Sequence, residues 1–195
     1  MGIGLDASEF GQTPIDPDQL SGLKITMLHT HAQINAYEQA NINEALRWLM
    51  RKRTLPTLLT TEFICLLHRR MFGHVWKWAG TFRKVETNIG VPWYTIPAEL
   101  NVLLADVQYW ILHQTFSPVE IAIRFKFRLV SIHCFPNGNG RHARLMADLL
   151  MQYRFGLQRF SWGAHSKGDV RKLYLSAIQQ AAEGNFVPLI DFAQN

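Results

Sequence analysis

The sequence predicts an all-α, mainly helical chain carrying one small β-hairpin. Three observations predict it. Apolar residues recur at helical spacing through most of the chain, hydroxyl and proline start signals stand before those stretches, and one Trp-, Thr- and Val-rich stretch between Gly73 and Pro97 breaks the pattern. With 195 residues, 48% of them apolar and 12% aromatic, the chain has material for one core of ordinary size. One domain is therefore expected over residues 34–195, preceded by an arm over 1–33.

The arm is read from its mix of Gly, Pro and Asp, with Pro14-Ile15-Asp16-Pro17 resisting regular structure. Helical spacing begins after it: Tyr37, Ala40, Ile42, Ala45, Leu46, Leu49 and Met50 recur between Ile34 and Met50. Thr60-Thr61-Glu62 is a hydroxyl cap with an acid just inside, and it predicts a helix to about Phe72. The hairpin follows, Lys84 to Thr87 and Trp93 to Ile96 flanking the turn Asn88 to Pro92. Pro92 and Pro97 confine its strands to an exposed edge, which either aggregates or takes an extended peptide as an added strand.

Pro97 opens a helix through Leu104, Val107, Trp110 and Ile111. Ser117-Pro118-Val119-Glu120 combines a Ser cap, Pro at the first helical position and Glu three residues after the Ser. The helix it starts is apolar on nearly every side through Ile132 and should be the most buried. After a break at His133 to Asn139, a further helix carries Leu145, Met146, Leu149, Leu150 and Tyr153 and ends before Gly156. Ser166-Lys167-Gly168-Asp169 resembles another cap, leading a helix to Gly184, and a short tail from Phe186 to Phe192 closes the chain.

Several function classes are disfavoured. No stretch approaches the roughly 20 apolar residues of a membrane span, and Met1 to Pro17 lacks the basic start and apolar block of an export signal. Cys65 and Cys134 share no metal-ligand spacing and suit a reducing cytoplasm. Net charge is +5, but the basic residues are dispersed apart from Arg51-Lys52-Arg53, which reads as a solvated helix end, so a nucleic-acid partner is not expected. His29, His31 and His142 lack acid or Cys partners at ligand spacing.

The chemistry is concentrated in His133-Cys134-Phe135-Pro136-Asn137-Gly138-Asn139-Gly140-Arg141-His142-Ala143-Arg144. Two glycines around an asparagine let backbone N–H groups converge where the next helix presents its own unsatisfied donors, which is a phosphate site. Arg141 and Arg144 share one face of the first turn, within reach of a polyphosphate. Cations there oppose the helix dipole unless an anion is bound. His133, at the end of the buried helix, is placed to act as a general base with a near-neutral pKa. Asn139 either turns its amide to the phosphates or tolerates a left-handed backbone. Cys134 should point away from His133 and has no base at usable spacing.

The stretch resembles the Fic-family signature, His-x-Phe-x-(Asp or Glu)-Gly-Asn-Gly-Arg-x-x-Arg, at seven positions: His133, Phe135, Gly138, Asn139, Gly140, Arg141 and Arg144. Leu67 to Phe72 with Trp76 to Arg83, and Tyr174 to Phe192, also resemble family segments, so the likeness covers roughly residues 35 to 193. The wording of the signature and Glu38-Gln39-Ala40-Asn41-Ile42 resemble in particular the bacterial branch called mobile mystery protein B.

The resemblance implies a Fic fold that transfers AMP from ATP to a Ser, Thr or Tyr hydroxyl of a target protein. His133 would take the hydroxyl proton, Gly138, Asn139 and Gly140 would cradle the anion, and Arg141 and Arg144 would hold the outer phosphates. Glu86, Thr87, Asn88, Ile89, Gly90 and Val91 would dock the target as an added strand. The family's Mg²⁺ ligand is replaced by Asn137, a neutral amide, which implies weakened metal dependence or slow turnover. Glu38 is the expected inhibitory residue of the first helix, aimed at Arg144, although Ile34 and Gln39 depart from the family's inhibitory pattern. Glu183-Gly184-Asn185 echoes that pattern, but a helix-ending Gly explains it as well. Two rival readings are a Doc-type phosphotransferase and a non-catalytic nucleotide-binding module. The target and any antitoxin-like partner are not named by the sequence.

Overall fold

The computed structural model describes residues 21–25, 27, 30–166 and 169–195. Helix α1, His31–Met50, starts ahead of the apolar periodicity because Thr30 and Gln33 cap each other reciprocally and carry polar residues into its first turn. Helix α2, Thr61–Phe72, is capped by the Thr60 hydroxyl, which accepts from the Phe63 N–H as its sequence indicates. A 3₁₀ turn, Trp93–Thr95, feeds α3, Ile96–His113, which ends on a left-handed Gln114. Helix α4, Pro118–Ile132, opens on Ser117, whose hydroxyl accepts from Glu120 N–H.

Helix α5, Asn139–Leu149, runs on as a π-helical turn, Leu150–Arg154, a local widening that apolar periodicity does not reveal. Helix α6, Val170–Ala182, is capped by Asp169 rather than Ser166, and α7, Val187–Gln194, closes the chain. In this helical frame α4 is the hub: α3, α5 and α7 pack on it, α1 packs on α2, α2 also meets α5, and α6 packs on α7. Ile121, Ile123, Phe125 and Leu129 of α4 are buried. Burying such side chains contributes roughly 1.5–3 kcal/mol each. The central position expected for this helix is the observed one.

The hairpin is a correction: among the described residues the chain forms no strand over 84–96. Pro92 starts the 3₁₀ turn instead. The carbonyls a ladder would use are also taken, those of Val85 and Val91 by the Arg83 guanidinium and that of Ile89 by the Thr87 hydroxyl. The segment is an irregular flap. Among the described residues, β pairing is an antiparallel bridge between Leu23 of the arm and Trp76. Lys24 N–H donates to Val75 O and Lys77 N–H to Gly22 O on either side of it. No helix among these residues is long and apolar enough to cross a membrane.

Candidate active site

The loop joining α4 to α5 is held from below. His133 ends α4 in the left-handed region at φ 55°, and Gly138 opens α5 at φ 78° without a side-chain cap. The first N–H groups of α5 are therefore presented to the loop's concave side, where an anion would sit. A Cβ on Gly138 would lie 2.7 Å from the Phe72 ring, so the close approach itself requires glycine. Asn139 does neither of the two things expected of it. Its backbone is helical, and its buried amide accepts from Phe135 N–H at 3.0 Å and donates to Phe135 O at 2.7 Å, closing the loop on itself.

Beneath the loop lies a neutral aromatic floor. The fully buried His68 accepts from the Gly80 N–H at Nδ1, 3.0 Å, which leaves its other nitrogen to donate to Asn137 O at 3.0 Å. Its ring stacks on Phe135 with centroids 3.7 Å apart. His142 donates from Nε2 to Ile64 O at 3.1 Å and meets Phe135 edge-on. Burial and then the His142 ring beside it keep His68 well below its ordinary pKa, and burial pushes His142 down to about 3. Both are uncharged pegs.

His133 differs. Its ring is buried, yet neither nitrogen has a hydrogen-bond partner among the described residues. Gly90 of the flap lies over it: a Cβ on Gly90 would come within 2.7 Å of His133 Cβ. The near-neutral pKa expected of His133 is corrected by this cover. Burial first, and the Arg83 guanidinium second, hold the imidazole down at about 4, so at neutral pH it is an uncharged acceptor. The adjacent Cys134 thiol is pushed by burial up to about 12, which removes it as a nucleophile.

The two arginines of α5 part company. Arg141 lies over the Phe72 ring and its Nη1 donates to Glu38 Oε2 at 2.6 Å. Glu38 is itself buried, and its other oxygen accepts from the Trp76 indole at 2.6 Å. The family pattern points Glu38 at Arg144. The structure gives it to Arg141, because α1 packs on α2 and presents Glu38 beside Trp76. The Arg144 guanidinium makes no ion pair with the described residues and is electrostatically coupled to Tyr174, Arg141 and Asp148. Lys126 joins this corner: fully buried in α4, it donates to the Tyr174 hydroxyl at 2.7 Å, and burial with the Arg144 charge beside it holds its pKa down at about 7.

Comparison with known proteins gives this geometry a family. Residues 58–151, which span α2 to the π turn, match the sequence model of the Fic/DOC family. This segment is a Fic/DOC domain. Two mosquito proteins named protein adenylyltransferase Fic, from Aedes aegypti and Culex quinquefasciatus, are each 30% identical over 138 residues, covering 69% of this chain and 27% of their own length. The chain thus spans about a quarter of the curated relatives it matches. Among solved structures, Fic-1 of C. elegans aligns with a TM-score of 0.62 at 25% identity, covering 79% of this chain and 45% of that one. The N-terminal Fic domain of Bep8 from Bartonella sp. 1-1C aligns at 0.69 and 16% identity, covering 89% and 88%, and shares the fold.

Within this Fic/DOC domain Asn137, the residue expected at the metal position, offers a neutral amide oxygen in place of a carboxylate. Among the described residues no group of His, Cys, Asp or Glu is assembled to hold an ion. The Asn137 amide oxygen accepts from Gly138 N–H at 2.6 Å, which uses one of its two lone pairs. His29 lies outside the described residues. The flap residues Glu86, Asn88, Ile89 and Gly90 are exposed, while Thr87 and Val91 are partly covered. Sequence reasoning gave no role to His68, Trp76, Arg83 or Lys126. The available signal was a set of polar residues inside otherwise apolar helices or Trp-rich turns, and it does not say which buried atoms they satisfy.

Proposed function

We propose that this Fic/DOC domain transfers AMP from ATP to a Ser, Thr or Tyr hydroxyl of a target protein docked along the flap from Glu86 to Val91. The observation that carries the reading is the buried His133 imidazole, both nitrogens unpartnered among the described residues, at the open N-terminus of α5. A buried polar pair without partners is expected to meet its partner in a complex. In the proposed step His133 takes the hydroxyl proton, the freed oxygen bonds to the α-phosphorus, and the bond from that phosphorus to the β-phosphate oxygen breaks, releasing pyrophosphate. Gly138, Asn139 and Gly140 shape the cradle, and Arg141 and Arg144 face the outer phosphates. Much of the rate would come from holding nucleophile and phosphorus in line. The relatives named adenylyltransferases support the same chemistry.

Glu38 sets the resting state in this reading. Its ion pair with Arg141 occupies one of the two cations a triphosphate needs, so ATP binds fully only when Glu38 is displaced. Magnesium would arrive with the nucleotide, and Asn137 would hold it only weakly, through a neutral amide oxygen.

The test is incubation of the protein, with and without Glu38→Gly, with ATP labelled at the α- or the γ-phosphate, followed by mass spectrometry. Label from the α-position on protein, with an added AMP, is the expected result. Label from the γ-position alone assigns a Doc-type phosphotransferase, and no product with ATP still bound assigns a non-catalytic nucleotide module.

A further inference from the structure

Among the described residues, Arg83 is a buried cation without a buried acid. Its side chain is 0% exposed, and the nearest carboxylate of the described residues, Glu86, is 4.0 Å away and 64% exposed. What surrounds the guanidinium is carbonyl oxygen. Nε donates to His133 O at 2.7 Å, Nη1 to Val85 O at 2.9 Å, and Nη2 to Val91 O, with Ile132 O at 3.5 Å. The backbone runs parallel to this fork: Arg83 N–H donates to Cys134 O at 3.0 Å and Val91 N–H to Ile132 O at 3.4 Å.

The physics favours an arginine here. Ile132 and His133 are the last carbonyls of α4, left without helical partners by the left-handed turn at His133, at the negative end of the helix dipole. A planar guanidinium offers five donors in a fixed fork, so one side chain satisfies both limbs of the flap and the helix end together, where an ammonium has three donors and no plane. Gly90 completes the arrangement, since a Cβ there would lie 2.7 Å from Arg83 Nη2, 2.7 Å from His133 Cβ and 3.2 Å from Ile132 O.

We infer that Arg83 is a positioning residue that locks the flap and the His133 main chain into one rigid unit, so that a hydroxyl carried on the flap is delivered at a fixed distance from the imidazole. The kinetic consequence rests on the AMP-transfer reading, whereas the mechanical one does not.

The test uses the full chain with Glu38→Gly, with and without Arg83→Lys. Amide hydrogen exchange over residues 84–91 should quicken at least about tenfold in Arg83→Lys, while ATP affinity by calorimetry stays within about twofold. The turnover number for AMP transfer to protein should fall at least about tenfold with KM for ATP unchanged. Unchanged exchange at the flap overturns the inference, and so does a parallel loss of ATP affinity, which would mark general damage to the site. If Arg83→Lys does not fold, Gly90→Ala decides: it keeps the guanidinium but forces the flap off His133, and the same split between nucleotide binding and turnover is expected. A protein that transfers no AMP in either background defeats the functional reading, and the exchange result still decides the role of Arg83.

Discussion

The floor of the site and its mouth are built on opposite principles. Below the loop, His68, Asn139 and His142 have their buried polar atoms paired with backbone. At the mouth, neither His133 ring nitrogen is paired with a described residue, and Arg141 is held by a carboxylate from a different helix. Satisfied groups fix geometry, and unsatisfied or borrowed ones are where a ligand completes the count. The contrast makes a division of labour testable: mouth variants should change chemistry and spare stability, and floor variants should do the reverse.

The largest expected effect is on His133. Removing a general base typically lowers rates by about 10²–10⁴-fold, so His133→Ala should lower AMP transfer by about that factor. Stability should fall less than in a floor variant, because the buried ring's packing is lost but no hydrogen bond to a described residue is. Assays of transfer and of thermal unfolding on the same preparation check this, and a large drop in Tm with residual activity would erase the distinction between mouth and floor.

Glu38→Gly comes next. A charge-assisted hydrogen bond contributes about 1.5–3 kcal/mol, and a tenfold change corresponds to about 1.4 kcal/mol. Freeing Arg141 should thus raise ATP affinity on the order of tenfold or more, read by calorimetry. An affinity unchanged by the substitution would reduce Glu38 to a structural acid.

Acid pH should act on the two floor imidazoles and on His133 at the mouth alike. His68, His142 and His133 all have folded pKa values below the ordinary 6.5, at about 3 and about 4 for the last two. The unfolded chain therefore binds more protons as pH falls through 6.5, and stability that is complete above that value drains toward pH 3–4. Asp148 opposes this, because burial raises it to about 6 and it favours the folded state below that pH. Three groups against one leave a net loss, at about 1.4 kcal/mol for each unit of separation. Tm measured from pH 7 to pH 4.5 should fall, and less steeply in His142→Gln, whose amide can still donate to Ile64 O. Equal slopes in both proteins would contradict the assignment of a neutral buried His142.

Much of this was legible in the chain because local rules agreed with the fold. Thr60 and Ser117 are caps where their spacing placed them, and α4 is central because it is apolar on nearly every face. The break at the loop was legible too, from Gly138 and Gly140 on either side of Asn139. What sequence could not give were long-range pairings. The flap looked like strands because its Val, Thr and Tyr residues suit strands, but Arg83, outside the expected turn, captures the carbonyls a ladder needs. Glu38 was chosen from its helix, yet which arginine it meets depends on how α1 seats on α2 and Trp76. His68 looked like any helical histidine until Gly80 and Asn137 arrived on its two nitrogens.

The smallest expected effect tests whether the mouth is restrained by one residue or by a relay. The Trp76 indole donates to the Glu38 oxygen that Arg141 does not use, and the same residue carries the bridge to Leu23 of the arm. Trp76→Phe keeps a ring in the stack with Trp78 but removes the donor. Glu38 then retains Arg141 alone and is left with an unpaired buried oxygen, so its hold should weaken without vanishing. ATP affinity should rise a few-fold, well short of Glu38→Gly, and the double variant should add nothing beyond Glu38→Gly, since the indole acts only through that carboxylate. Additive effects in the double variant would place Trp76 on the nucleotide site by another route.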